Sequence, residues 1–353
     1  MTLKEIAKEA GVSVSTVSRV INKKGAHVAR PEIQNKIWEI VSRAGYVPNK
    51  NAQNLRKNVK TAKSDGPYPI ACLFARTPES INDPFFSKLA CSVEAAAFEA
   101  NYNVRYSLTE IDMKSIDTLH TINDMNIRGV VVLGRCDKVL LKYLKQNFRF
   151  VSYTGLNPTS AKYDQIICDG REVGEAAVDY LVSLGHEKIA YIGETSNENR
   201  FEGYQAALKK HGLEFEQSYV VNVPLSSENG YRGATKLLER ANGVTAVLAA
   251  NDITAIGAMR AMREKGIRIP QDMSIIGIDD IDMAQYMATK LTSVHIPVEE
   301  MGQLATKTLI DRINGGHTLP LKISLPFYIA ERESCGKPPK VPKRKTSKKT
   351  NKD

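Results

Sequence analysis

The stretch Thr2-Leu3-Lys4-Glu5-Ile6-Ala7-Lys8-Glu9-Ala10-Gly11-Val12-Ser13-Val14-Ser15-Thr16-Val17-Ser18-Arg19-Val20-Ile21-Asn22 carries most of what the sequence says about its first domain. Thr2 and Glu5 have the spacing of a capping box, in which each side chain satisfies the other residue's backbone N–H. Leu3, Ile6, Ala7 and Ala10 then recur at helical intervals and predict a short helix with one buried stripe. Gly11 supplies a tight turn, and Ser13 is a good N-cap for a second helix from Val14 to Asn22. On that helix Val17, Val20 and Ile21 share one side. Ser15, Ser18, Arg19 and Asn22 share the other, with Val14 and Thr16 at the borders.

A helix facing plain solvent usually carries long charged residues on its outer side. Short hydroxyl side chains with one arginine instead suit close approach to a DNA groove, where hydroxyls reach phosphates and arginine grips guanine through two bonds. A third helix begins at Pro31, buries Ile33, Ile37, Ile40, Val41 and Ala44, and stops at Gly45. Three short helices with a glycine turn between the first two form a DNA-reading arrangement. The plainer alternative is a small helical cap without any DNA role.

Charge supports the first reading. The 353 residues carry a net +10, distributed unevenly. Residues 1–63 hold 13 Lys/Arg against 4 Asp/Glu, and residues 337–353 hold 8 against 1, so the body between them is acidic. A basic head and tail on an acidic body point to a polyanion at the ends and a different task in the middle. The 42% apolar and 25% charged composition is that of a globular protein. No apolar run reaches the roughly 18–20 residues needed to span a bilayer, and the first residues lack an apolar signal core, so a cytoplasmic protein with no membrane partner is expected. The five cysteines are scattered without a CxxC pair, which fits small buried hydrophobes better than a disulfide framework or a metal site.

From Ile70 onward, short β-rich runs alternate with amphipathic stretches. Ile70–Phe74, Val104–Leu108, Gly129–Leu133 and Phe150–Tyr153 read as strands, with helices around Ser87–Ala100, Ser115–Met125 and Leu140–Gln146. The pattern restarts with strands at Gln165–Cys168, Lys188–Ile192, Tyr219–Val223, Ala246–Ala249 and Met273–Ile278. Its helices lie near Glu172–Leu184, Arg200–Lys210, Tyr231–Arg240, Ile253–Glu264 and Glu299–Asn314. Such alternation predicts α/β architecture: two lobes with parallel sheets and a cleft between them. Ligands of open α/β sheets bind beyond the carboxyl ends of strands. There Ala246–Ala250 runs into Asn251 and Asp252, Ser274–Ile278 runs into Asp279 and Asp280, and Arg200 opens a helix after Gly193. An Asn, an Asp and an Arg suit vicinal hydroxyls. For Asp252 and Asp280 an ordinary N-cap is an equal reading.

The quoted N-terminal stretch, with Gly45-Tyr46-Val47-Pro48-Asn49, resembles the signature of the lactose/galactose repressor (LacI/GalR) family, and the similarity runs to about residue 334. The resemblance implies a periplasmic-binding-protein-like body behind a helix-turn-helix, and a transcription regulator, mostly a repressor, that binds a near-palindromic operator as a homodimer. It implies that Val14, Ser15 and Arg19 read bases, and that Ser13, Thr16, Ser18 and Asn22 fix the register on the backbone. Asn49–Arg56 resembles the family's hinge helix, with Leu55 as an apolar wedge in the minor groove, Ala52 allowing close approach and Arg56 reaching groove acceptors. Arg200, Asn251 and Asp279 match effector-holding positions. Asn82–Phe86 resembles the family's loop that closes over the ligand, with Phe85 and Phe86 offering a ring face to a small molecule of the carbohydrate type, or one of them stapling the following helix. Two departures leave the sugar unnamed: Leu225 stands where several relatives carry an aromatic residue, and Ser152-Tyr153 where several carry an Asp.

The expected organisation is therefore a DNA-binding domain at 1–48, hinge and linker at 49–69, an effector-binding and dimerising body at 70–336, and a disordered basic tail at 337–353. Proline and like charge after Gly336 forbid a coiled coil, so a dimer is expected and not a tetramer. A free sugar-binding protein would need a signal peptide and no helix-turn-helix. An enzyme would need a nucleophile–base pair, a paired-carboxylate site or a phosphate loop. The sequence has no GxxxxGK[ST] or GxSxG, and its six histidines are dispersed. No catalytic residue, cofactor or metal is expected.

Overall fold

The computed structural model describes residues 2–21, 29–43, 68–75, 83–109, 127–136, 138–160, 162–240 and 242–339. Asn22, the hinge residues Ala52, Leu55 and Arg56, the helix expected around Ser115–Met125 and the tail beyond 339 lie outside the described residues.

The N-terminal unit consists of α1 (Leu3–Ala10), α2 (Val14–Ile21) and α3 (Pro31–Arg43). The capping box forms as the sequence reads: Thr2 N donates to Glu5 Oε2 at 2.7 Å and Glu5 N to Thr2 Oγ1 at 3.3 Å. Gly11, at φ 72°, turns the chain into α2, whose first turn is capped by Thr16 N donating to Ser13 Oγ at 3.1 Å. Ile6, Ala7, Ala10, Val17, Val20, Ile21, Ile37, Ile40 and Val41 form its core. Each large aliphatic among them contributes roughly 1.5–3 kcal/mol by leaving water, which is what holds so short a unit together.

The body is two α/β lobes. In chain order it contains β1 (Tyr68–Phe74), α4 (Pro84–Glu99), β2 (Tyr102–Thr109), β3 (Val130–Leu133), α5 (Lys138–Asn147), β4 (Val151–Gly155) and β5 (Asp164–Ile167). There follow α6 (Gly170–Ser183), β6 (Ile189–Gly193), α7 (Asn199–Lys210), β7 (Val220–Asn222), α8 (Ser227–Arg240), β8 (Ala246–Ala249), α9 (Asp252–Glu264) and β9 (Ser274–Asp279). The last elements are β10 (Thr292–His295), α10 (Val298–Ile313), β11 (Lys322–Ser324) and β12 (Tyr328–Ala330).

Among the described residues the first sheet has the order β11-β5-β4-β3-β1-β2 with parallel pairing throughout. The second has the order β12-β10-β9-β8-β6-β7, parallel except for the antiparallel pair β10–β12. Strands covered by helices on both faces need apolar side chains on both, and β3, β6 and β9 are buried along their whole length.

The lobes do not divide where the sequence pattern restarts. The strand read as the first of the second set, β5, pairs with β4 in the first lobe, and α10 also packs there. Gly302 of α10 lets the helix approach α4 so closely that a β-carbon would lie 2.9 Å from Leu89 O. Ser92 Oγ donates to Glu299 O across the same contact at 2.5 Å. The chain thus passes between lobes three times, after β5, after β10 and between β11 and β12. No helix among the described residues is long and apolar enough to cross a membrane.

Candidate functional site

On α2 Val17, Val20 and Ile21 are buried, and the opposite face presents Val14, Ser15 and Arg19 to solvent with Thr16 and Ser18 half-buried. Ser13 Oγ lies 2.8 Å from both Ser15 Oγ and Thr16 Oγ1, so the hydroxyls form one cluster at the start of the helix. Arg19 Nε donates back to Ser15 O at 3.3 Å. This face offers a cluster of short hydroxyls at the positive end of the helix dipole and one long cationic donor, Arg19, in the last turn.

The second site arises from parallel pairing, which puts the carboxyl ends of all strands of a sheet on one edge. In the first lobe β3 ends on Gly134 and Arg135, and β4 ends on Gly155, Leu156 and Asn157. In the second, β6 leads to the loop Glu194–Glu198, β8 to Asn251 and β9 to Asp279. These ends face each other across a cleft lined by all five residues expected there: Phe85, Phe86, Arg200, Asn251 and Asp279. Leu225 lines it too. The space at this point is about 30 Å³, and a second cavity of about 510 Å³ shares Phe85 and Asp279 with it.

Phe85 and Phe86 open α4 behind the N-cap Asp83, with ring centroids 5.1 Å apart in an edge-to-face pair. Both also belong to the apolar core, so each can show the cleft only part of its ring. Arg200 is 4% exposed. Its Nε and Nη2 donate to the two oxygens of Glu198 at 2.7 and 2.9 Å, and Nη1 donates to Ala250 O at 2.6 Å. Glu198 also caps α7, accepting from Arg200 N at 3.2 Å. Burial alone would raise its carboxyl, but the Arg200 charge, its hydrogen bonds and Arg135 outweigh that and hold it down at about 2.

Asn251 is the N-cap of α9, with Thr254 N donating to its Oδ1 at 3.0 Å, so one residue both caps the helix and lines the cleft. Asp252 and Asp280 are not caps. Asp252 is turned inward and accepts from Ser293 Oγ at 2.6 Å and Ile281 N at 2.9 Å. Burial pushes its carboxyl up to about 7 against the lowering effect of those bonds. Asp280 holds His295 Nδ1 at 2.9 Å and Arg332 Nη2 at 2.5 Å. Asp279 and Asp280 both have left-handed backbones, at φ 117° and 57°. Such conformations cost on the order of 1–3 kcal/mol each, and surrounding bonds must hold them.

Sequence reasoning missed Arg135, Glu198 and Asn157. Arg135 crosses from the first lobe to the second, donating through Nη1 to Asn197 O at 2.6 Å, Ser196 O at 3.2 Å and Glu198 Oε2 at 3.3 Å, and pairing through Nη2 with Glu194. Asn157 Nδ2 donates to Asn197 O at 3.1 Å. The signal was available for Arg135, which directly follows Gly134 at a strand end. Glu198 looks like any acidic residue at a helix start. Among the described residues no cluster of His, Cys, Asp and Glu could hold a metal ion.

Comparison with known proteins covers both parts of the chain. The family model "Bacterial regulatory proteins, lacI family" matches residues 2–49, and "Periplasmic binding protein-like domain" matches residues 178–335. The ribose operon repressor of Escherichia coli K12 is 30% identical over 341 residues, covering 95% of this chain and 99% of that protein. Among solved structures, the transcriptional regulator CelR in complex with cellobiose superposes with a TM-score of 0.70 at 27% identity, covering 95% of this chain and 99% of that one. A LacI-family regulator from Enterococcus faecium with bound ribose gives a TM-score of 0.66 at 28% identity, covering 76% of this chain and 98% of that one.

Proposed function

Because the chain belongs to the lacI family of bacterial regulatory proteins, which are DNA-binding transcription regulators and not enzymes, we propose that it represses transcription from a near-palindromic operator as a homodimer and answers to a small carbohydrate held between its lobes. Val14, Ser15 and Arg19 read base edges, while Ser13, Thr16, Ser18 and Asn22 fix the register on phosphates. Ala52, Leu55 and Arg56 act in the minor groove. Residues 1–48 are the DNA-binding domain, 49–69 the hinge and linker, 70–336 the sensing and dimerising body, and 337–353 a basic tail that adds non-specific attraction to phosphates. The protein works in the cytoplasm, where its operator is.

One observation carries the reading of the body. Arg200, Asn251 and Asp279 leave three separate strand ends and meet Phe85 and Phe86 of the opposite lobe around one cavity. Planar donors and acceptors beside an apolar ring face are what a sugar's hydroxyls and C–H face require. Ribose and cellobiose, the ligands of the two similar structures, are the first compounds to try. A sugar that prefers the closed body over the open one shifts the equilibrium by its differential affinity, typically ~1–3 kcal/mol, and thereby changes DNA binding.

The test is selection from a random duplex pool, followed by gel shifts of the selected site with and without a sugar panel. A two-fold symmetric site whose affinity changes at least fivefold with one sugar is expected. Failure to prefer any sequence over random DNA at physiological salt would overturn the DNA-reading assignment. A sugar effect that survives Asn251→Ala and Asp279→Ala would move the effector site elsewhere.

A further inference from the structure

We propose that Asp280 carries the effector signal from the cleft to the hinge: its carboxylate ties the turn that bears Asp279 to the strand from which the chain leaves for the first lobe and to the strand on which it returns. The proposal rests on the reading of the cleft as the effector site and names the residue through which that site moves the lobes.

The turn is held from behind, independently of the Asp280 side chain. Left-handed backbones at Asp279 and Asp280 persist only where the surroundings fix them. Here Asp280 N donates to Ser293 Oγ at 3.1 Å, and Ile281 N donates to Asp252 Oδ2 at 2.9 Å. Ser293 Oγ donates in turn to Asp252 Oδ1 at 2.6 Å, so one buried carboxylate anchors the turn to both β10 and α9. Asp252 fits there because Gly277 leaves the space: a β-carbon on it would lie 2.0 Å from Asp252 Oδ1. Backbone bonds thus make a stiff support for Asp279, which lines the cleft.

The Asp280 carboxylate faces the other way. Its Oδ2 holds His295 Nδ1 at 2.9 Å, and its Oδ1 accepts from Arg332 Nη2 at 2.5 Å. His295 is the last residue of β10 and stacks on Tyr328, the first residue of β12, with centroids 4.5 Å apart and planes at 22°. Arg332, just beyond β12, donates through its backbone N to Thr292 Oγ1 at 2.9 Å and through Nη1 to Leu291 O at 2.7 Å. The two strands are therefore clamped together at both ends, with Asp280 on each clamp. Between them run two of the three crossings: Ile296-Pro297 into α10, and Leu325-Pro326-Phe327 from β11. Any rotation of one lobe against the other must bend the chain there. The side chains of Asp280 and Arg332 are 11% and 18% exposed, so their pairing is screened less than a surface ion pair. The cavity of about 510 Å³ separates Asp280 and His295 from Phe85 and Lys88 of the first lobe, which leaves the cluster room to move. A ligand that draws on Asp279 displaces a stiff turn, and Asp280 passes the displacement to both strand ends at once.

The experiment uses the full chain, Asp280→Asn, Arg332→Gln and the double variant. Asparagine keeps the backbone bond to Ser293 and tolerates the left-handed conformation, but gives up the charge that pairs with Arg332. Without any sugar, hydrogen exchange in Asp280→Asn should quicken at least tenfold over Val294–Val298 and Tyr328–Ala330, while β6, β8 and the Ile281 amide keep their parental rates. With ribose, glucose and cellobiose as probes, calorimetric affinity is then compared with the change in operator affinity at saturating sugar. For a sugar that the parent binds, affinity in Asp280→Asn should stay within about threefold, while the operator response, at least fivefold in the parent, falls below twofold. The double variant should add nothing to the loss in Asp280→Asn, because the two residues act as one pair. Parental exchange rates at the two crossings overturn the proposal, and so does an intact operator response. A loss of sugar affinity in step with the response also overturns it, since Asp280 would then only shape the pocket. If sugar affinity ignores Asn251→Ala and Asp279→Ala, or no probe binds, the effector-site reading loses its support, and the exchange result still judges the tie between Asp280 and the crossings.

Discussion

At the scale of single residues, chemistry separates groups that look alike in sequence. Arg19 is the only long donor on the exposed face of α2, and a bidentate base contact is worth roughly 1–3 kcal/mol of discrimination. Arg19→Ala should therefore reduce preference for the selected operator at least tenfold per half-site while leaving weak, salt-sensitive binding to random duplex. Gel shifts against both DNAs check it, and an unchanged ratio refutes the role. Asp252 gives a pH prediction. Its folded carboxyl titrates near 7, against 3.8 for the ordinary side chain, because burial disfavours its charge. The folded state holds that proton more tightly, so the stabilising contribution is full below the ordinary value and is lost as pH rises toward about 7. Asp252→Asn should remove this contribution, and the amide can still accept from Ile281 N and donate to Ser293 Oγ. The stability of the parent relative to the variant should rise by a few kcal/mol, in order of magnitude, between pH 7.5 and 4.5 in urea unfolding. A flat difference would mean that Asp252 is ionised throughout.

At the scale of elements, the helices of the body pair through glycines that helix propensity alone would replace. A β-carbon on Gly257 of α9 would lie 1.8 Å from Ser227 O of α8, and one on Gly230 of α8 would lie 2.1 Å from Thr254 O. In an isolated helix Gly→Ala gains roughly 1 kcal/mol. Here the two helices would have to separate, so Gly257→Ala should instead destabilise the body by about 1–3 kcal/mol, read as a lower denaturation midpoint with the same slope. The sign of the change is the test. The elements also mark where periodicity stops being informative. The strands buried on both faces stood out as apolar runs, but β10 begins with Thr292-Ser293, and β11 and β12 are three residues each and largely exposed. Their strand state comes from pairing with β9, β5 and β10, which no local pattern encodes.

For the whole molecule, three crossings of the chain make each lobe depend on both halves of the sequence. The first lobe borrows β5, α10 and β11, and Met301, Ala305 and Leu309 of α10 share one buried core with Leu89 and Val93 of α4. A peptide spanning residues 68–163 should therefore fail to fold, although it holds every strand of the first sequence repeat. Adding residues 164–167 and 298–324 through a short linker should recover native-like circular dichroism and a cooperative melt. Cooperative folding of the shorter peptide would contradict this division.

The sequence by itself determined the helix-turn-helix, because capping boxes, N-caps, glycine turns and a buried stripe are local rules acting over a few residues. It also marked the strands up to β9, though not β10 to β12, and which residues stand at strand ends: Arg200, Asn251 and Asp279 were legible because parallel sheets put those ends on one edge. Only the tertiary structure decided which lobe β5 and α10 join, since neither the choice of a strand's pairing partner nor the packing of α10 on the distant α4 leaves a periodic trace in the chain. It alone showed that Asn251 is both cap and lining residue while Asp252 is turned inward, and that Arg200 is already held by Glu198 with Arg135 bridging from the other lobe. The contacts of Arg135 with Glu194 and Glu198, and of Asp252 with Ser293, join side chains far apart in sequence, and even the short step from Glu198 to Arg200 leaves open which way each side chain turns.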